Sequence, residues 1–128
     1  MKKLTREEAI ELHRKMWNWI ADETEKTGRF IQKDDYFLAT HNIPAHFCYC
    51  CEYAIQRNNG EFIGRCRYCP LDWRNRLNEY MCQNNVTVRD HQGLYGRWAF
   101  EKDIQERSRL ARQISNLPNT QRYNSRIY

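Results

Sequence analysis

A chain of 128 residues that is 41% hydrophobic and 13% aromatic can build one modest core, which excludes a disordered polymer. The formal charge of +5 is mild. Residues 1–51 balance and most of the excess lies in 97–128, so a strongly basic nucleic-acid binder is not indicated.

No stretch approaches the roughly 18 apolar residues of a membrane span. The opening MKKLTREEAIELHRK runs into acidic helix sequence rather than an apolar signal core. The expectation is a cytoplasmic protein with no membrane partner. One domain is expected over residues 1–118, followed by a partly flexible tail over 119–128.

The first element is a helix over residues 6–26. Thr5 and Glu8 form a T-x-x-E capping box, and Leu4 is placed to staple onto Ala9. Ala9, Leu12, Met16, Trp19 and Ile20 recur at helical spacing, Ile10 and Trp17 widen the stripe, and Gly28 supplies the stop. A short helix or turn at Asp34–Thr40 packs Tyr36, Phe37 and Leu38, with Asp34-Asp35 as a charge pair at its start.

Four cysteines then follow in the pattern Cys48-x2-Cys51-x14-Cys66-x2-Cys69. Two C-x-x-C hooks at this separation let four thiolates close on one tetrahedral ion, and these residues are the expected ligands of one structural zinc. Iron would give a rubredoxin-like centre on the same spacing. Four thiolates leave no open position for water, which argues against a catalytic metal. A disulfide framework fits a cytoplasmic chain poorly. No glycine follows either hook (Glu52 and Pro70 do), so the knuckle backbone is free to be helical on one side. Between the hooks, Asn58-Asn59-Gly60 flanked by EYAIQR and EFIGR predicts a short β-hairpin. The fold class expected is therefore α+β: a mainly helical domain around a four-cysteine zinc site with a hairpin between the hooks.

The remaining cysteines and histidines are secondary. Cys50 is a second-choice ligand, Cys82 reads as a small buried hydrophobe, and His41 and His46 read as surface or supporting residues. Asp72 is placed to cap a helix carrying Trp73, Leu77, Tyr80 and Met81. A short helix near Leu94–Glu101 precedes a second capping box at Asp103 and Glu106. Ile104, Arg107, Ala111, Ile114 and Leu117 follow at helical intervals before Pro118.

No nucleophile–base pair, carboxylate dyad or phosphate-binding loop has workable spacing, and His13 and His91 lack a matched partner; an enzyme is not expected. Arg65, Arg67, Arg74 and Arg76 cluster about the hooks, and Arg107, Arg109 and Arg112 are assigned to the wet side of the last helix. These seven arginines are the candidate contacts to a partner protein or, alternatively, to nucleic acid, with Tyr68 and Trp73 interleaved for stacking.

The run KMWNWIADETEK, the block HFCYCCEYA…CRYCPLDW, then GLYGRW and LARQISNLP resemble small zinc proteins encoded by phages and prophages of Gram-positive bacteria. The most specific part is CEYA…CxxCPLxW followed by Leu94, Tyr95 and Trp98. The resemblance covers most of the chain and implies metal ligation by Cys48, Cys51, Cys66 and Cys69. It also implies a protein that disables a host factor: a non-enzymatic anti-CRISPR inhibitor of the type II-A CRISPR effector nuclease that hinders guide or target-DNA engagement. The alternative is a zinc-ribbon regulator that binds nucleic acid.

Overall fold

A computed structural model describes residues 3–41, 48–61, 68–73 and 94–119. The described residues form five helices: α1 (Arg6–Thr27), α2 (Lys33–Thr40), α3 (Tyr49–Arg57), α4 (Leu94–Phe100) and α5 (Ile104–Ser115). No helix among them is long and apolar enough to cross a membrane.

Helix α1 is the spine, packing against α5 most extensively and against α2 and α3. It starts where the sequence predicts. Thr5 accepts from the Glu8 N–H at 3.1 Å and the Glu8 carboxylate accepts from the Thr5 N–H at 2.9 Å. Leu4 and Ala9 share a small apolar cluster with Tyr53 of α3, so the staple also anchors a second helix. Gly28 ends α1 at φ 68°, donating back to the Thr24 carbonyl at 3.0 Å. The buried stripe is Ala9, Ile10, His13, Met16, Trp17, Ile20, Ala21 and Thr24. Leu12 and Trp19 lie half-buried at its edge.

Helix α2 buries Tyr36 and Phe37 but leaves Leu38 exposed. Asp35 accepts from the Gln32 N–H at 2.7 Å, so this carboxylate caps the helix start. Helix α5 is capped by Asp103, which accepts from the N–H groups of Gln105 and Glu106. The reciprocal half of the predicted box goes elsewhere: the Asp103 N–H donates to Glu101.

The α+β assignment is corrected by α3. EYAIQR, expected as the first hairpin strand, is helical, and among the described residues the only β pairing is an isolated antiparallel bridge, Leu71 with Asn119. The second expected strand falls mostly outside the described residues. Asn58-Asn59-Gly60 does make a tight turn, with Asn59 at φ 56° and Gly60 at φ 82°. The Gly60 N–H reaches back to the Ile55 carbonyl at 2.9 Å, the six-to-one bond of a Schellman stop. A hairpin and a helix terminus make the same demand for positive φ, and the dipeptide satisfies both.

The zinc site in the predicted fold class is likewise absent from the described residues: no group of three or more His, Cys, Asp or Glu is placed to hold a metal ion. Cys66, the fourth expected ligand, and the helix expected after Asp72 lie outside them, apart from Trp73.

One aromatic cluster fills the space between α1 and α4. Trp17 meets Trp98 edge-on at 4.6 Å and Tyr95 at 6.1 Å. Leu94 and Trp98 are buried and Tyr95 packs against the same core. Leu71, Trp73, Tyr53 and Ala54 are buried too. The residues that carry the sequence resemblance are therefore largely core positions.

Candidate metal centre

The first hook opens α3. Cys48 is the N-cap residue, in extended conformation, and its Sγ accepts from the Cys51 N–H at 3.3 Å. A cysteine at this position sits against the unpaired N–H groups and positive end of the helix dipole, which favours thiolate. The Cys48 thiol is accordingly lowered to about 6. A hydrogen bond with the Cys51 side chain is the main cause, helped by Lys33 and the N–H groups of Cys51 and Cys50, with burial opposing. Cys48 and Cys51 are both partly exposed.

Cys50 turns the other way. It is fully buried, with Sγ 4.0 Å from the Ala9 carbonyl of α1. Burial pushes its thiol well above the ordinary range, reinforced by a hydrogen bond with Cys69 and by electrostatic repulsion from the neighbouring Cys69, Cys48 and Cys51. A buried neutral thiol packs as a small hydrophobe.

The segment 68–73, which carries Cys69, is held by contacts far apart in sequence. Asp72 N–H donates to the Pro118 carbonyl at 2.8 Å beside the Leu71–Asn119 bridge. Arg6 at the start of α1 donates to the Pro70 carbonyl at 3.4 Å. Trp73 stands edge-on to His13 at 5.9 Å. This fixes Cys69, partly exposed, beside Cys50. Three of the four expected ligands thus gather around the first turn of α3, although they do not form a metal-holding group among the described residues. Thiolates are donors of the type zinc takes, but no group of three among the described residues is placed to hold the ion.

The other candidate residues separate clearly. His41 closes α2 with φ 57° and is exposed, while His46, Cys82 and His91 lie outside the described residues. Arg65, Arg67, Arg74 and Arg76 also lie outside them. Of the C-terminal trio, Arg107 is not on the wet face: it is 1% exposed. Its guanidinium donates to the carbonyls of Trp98 (2.6 Å), Ile31 (3.3 Å) and Ala99 (3.4 Å), and lies 4.2 Å above the Trp98 ring. It caps the C-terminus of α4, where unpaired carbonyls and the negative dipole end attract a cation.

Arg112 ties α5 to α1 through Asp22 (2.7 Å), Asn18 (3.0 Å) and Glu25 (3.3 Å). Ser108 also donates to Glu25, at 2.7 Å. The Ser108 hydroxyl, then Arg112, holds the Glu25 carboxyl below its usual range. Arg109 pairs with Glu106 one turn earlier on the surface.

His13 is the residue that sequence reading passed over. It is buried in the middle of α1, and its Nε2–H donates to the Ile114 carbonyl at 3.0 Å, while Nδ1 has no hydrogen-bond partner among the described residues. Burial drives its pKa down to about 4, only partly offset by the bond to Ile114, with Arg14 and Lys33 adding repulsion. Its place on the Ala9–Met16–Ile20 stripe was the available signal. Arg107, between Ile104 and Ala111, was marked the same way.

No protein-family model, curated protein or solved structure matches this chain.

Proposed function

We propose that this chain is a phage-encoded, non-enzymatic inhibitor that docks onto a host defence protein in the host cytoplasm, its fold stapled by one zinc ion. The partner assigned by the resemblance is the type II-A CRISPR effector nuclease, with docking that hinders guide or target-DNA engagement. Cys48, Cys51, Cys66 and Cys69 are the proposed zinc ligands, and the metal's contribution is structural.

The observation that carries a protein-binding reading is an exposed pair of aromatic side chains. Phe30 is 49% exposed and Phe100 is 59% exposed. The Phe30 ring lies 5.5 Å from the Arg107 guanidinium, and Phe100 ends the helix that this guanidinium caps. Large apolar rings held out by a rigid support are the usual material of interface anchors. In the C-terminal basic trio, Arg107 is buried and Arg109 and Arg112 are paired with carboxylates, which weakens a nucleic-acid reading for that face.

The test is target-DNA cleavage by the purified guide-loaded nuclease, with zinc-loaded inhibitor added in increasing amount. Cleavage is expected to stop near one equivalent, and Phe30→Ala/Phe100→Ala is expected to relieve inhibition without changing the circular dichroism spectrum. Undiminished cleavage, together with tight and steeply salt-dependent DNA binding by the chain alone, would replace this reading with the nucleic-acid regulator.

A further inference from the structure

We infer that Cys48 and Cys51 form a reversible thiol–disulfide pair at the start of α3. The pair is shared with the proposed zinc staple, but the inference rests on the thiols' geometry and not on the metal. Cys48 occupies the N-cap and Cys51 the third helical position, one turn apart. Helix geometry sets Cα atoms three residues apart at about 5 Å. That lies within the roughly 4.4–6.8 Å that disulfides span.

The Cys51 N–H already donates to Cys48 Sγ at 3.3 Å, which draws the chain between the two sulfurs into a tight loop. Both residues are partly exposed, so a small disulfide can reach them. The neighbouring thiol is turned away: Cys50 is buried with its sulfur toward the Ala9 carbonyl. Cys51 is thus the resolving partner that geometry selects for Cys48.

The exchange balances with a small-molecule disulfide such as glutathione disulfide as oxidant. The Cys48 thiolate attacks one glutathione sulfur, the glutathione S–S bond breaks, and one glutathione thiolate leaves. Cys51, after giving its proton to solvent, attacks Cys48 Sγ and expels the second glutathione thiolate. Two electrons pass from the protein dithiol to glutathione disulfide, and one disulfide replaces another. A disulfide has no thiolate left to bind a metal, so oxidation of this pair and zinc binding by it exclude each other.

The full-length protein, with and without chelator, is equilibrated in glutathione buffers of increasing oxidising strength, and all six cysteines are mapped by peptide mass spectrometry. The expected result is a dominant Cys48–Cys51 bridge in the chelated native protein, reversed by excess reduced glutathione and losing its dominance in urea. Cys51→Ser should stall with glutathione attached to Cys48. Dominance of Cys50–Cys69 or Cys66–Cys69 bridges, or the same pairing in native buffer and urea, would overturn the inference. Metal content measured on the same samples separates the two readings. A Cys48–Cys51 bridge in a chain that never takes up zinc removes the staple and keeps the exchange pair. Zinc uptake without that bridge after chelation removes the exchange pair and keeps the staple.

Discussion

Two polar side chains buried between α1, α4 and α5 show how much one residue can hold. His13 is neutral in the folded chain because burial depresses its pKa from 6.5 to about 4. The unfolded chain takes up a proton below 6.5, so the stability this histidine contributes is complete above that value and is lost as pH falls towards 4. The displacement corresponds to on the order of 3 kcal/mol. Urea unfolding of the wild type across this pH window should show a decline that His13→Gln largely removes. An equally steep decline in the variant would assign the effect to carboxylates. Arg107 is the second case. Replacing it with Met removes a cation that satisfies carbonyls of Trp98, Ala99 and Ile31. Leaving those acceptors unmet should cost about 2–4 kcal/mol, read as a lower urea midpoint. A midpoint unchanged from wild type would mean that the core refills or that water replaces the guanidinium.

At the scale of the element, caps and periodicity decide most of the outcome. Helix α1 was legible from Thr5, Glu8, Leu4 and Gly28 because each acts within a few residues of itself. Helix α3 was not, because its nine residues are too few for periodicity to separate helix from strand, and its stop signal doubles as a hairpin turn. Gly60→Ala tests the turn. A methyl group there meets nothing within 4 Å, so the cost is the backbone strain of φ 82°, about 1 kcal/mol, and thermal unfolding should reveal it. Helical carbon chemical shifts over 49–57 would check α3 itself, and extended shifts there would restore the hairpin.

For the molecule as a whole, the segment that carries Cys69 is held by the N-terminus of α1 and by the chain leaving α5, through Arg6–Pro70 and Asp72–Pro118. The cysteine cluster and the helical core therefore support each other. If zinc is the staple, Cys69→Ser should lose the metal and lower the melting temperature of the chain as a whole, because binding and folding are coupled. Zinc-free Cys69→Ser with wild-type thermal stability would show that the helices stand without the metal. The cysteine spacing was legible, but among the described residues no group of three is placed to hold a metal ion. The direction each sulfur faces was not legible, since Cys50 and Cys51 are adjacent in sequence yet one enters the core and the other the surface.

The sequence by itself determined the two long helices, their N-caps and most of their apolar stripes. All of these rest on interactions between residues within about one or two helical turns of each other. Only the tertiary structure decided that EYAIQR is a helix, that Arg107 and His13 belong inside, and that Cys50 packs against α1. Burial depends on what arrives from the other side. For Arg107 that is the end of α4 and the Ile31 carbonyl, for His13 the Ile114 carbonyl, and for Cys50 the Ala9 carbonyl. The local pattern marks a residue as facing the core, and the partner that satisfies its polar atoms determines whether it can stay there.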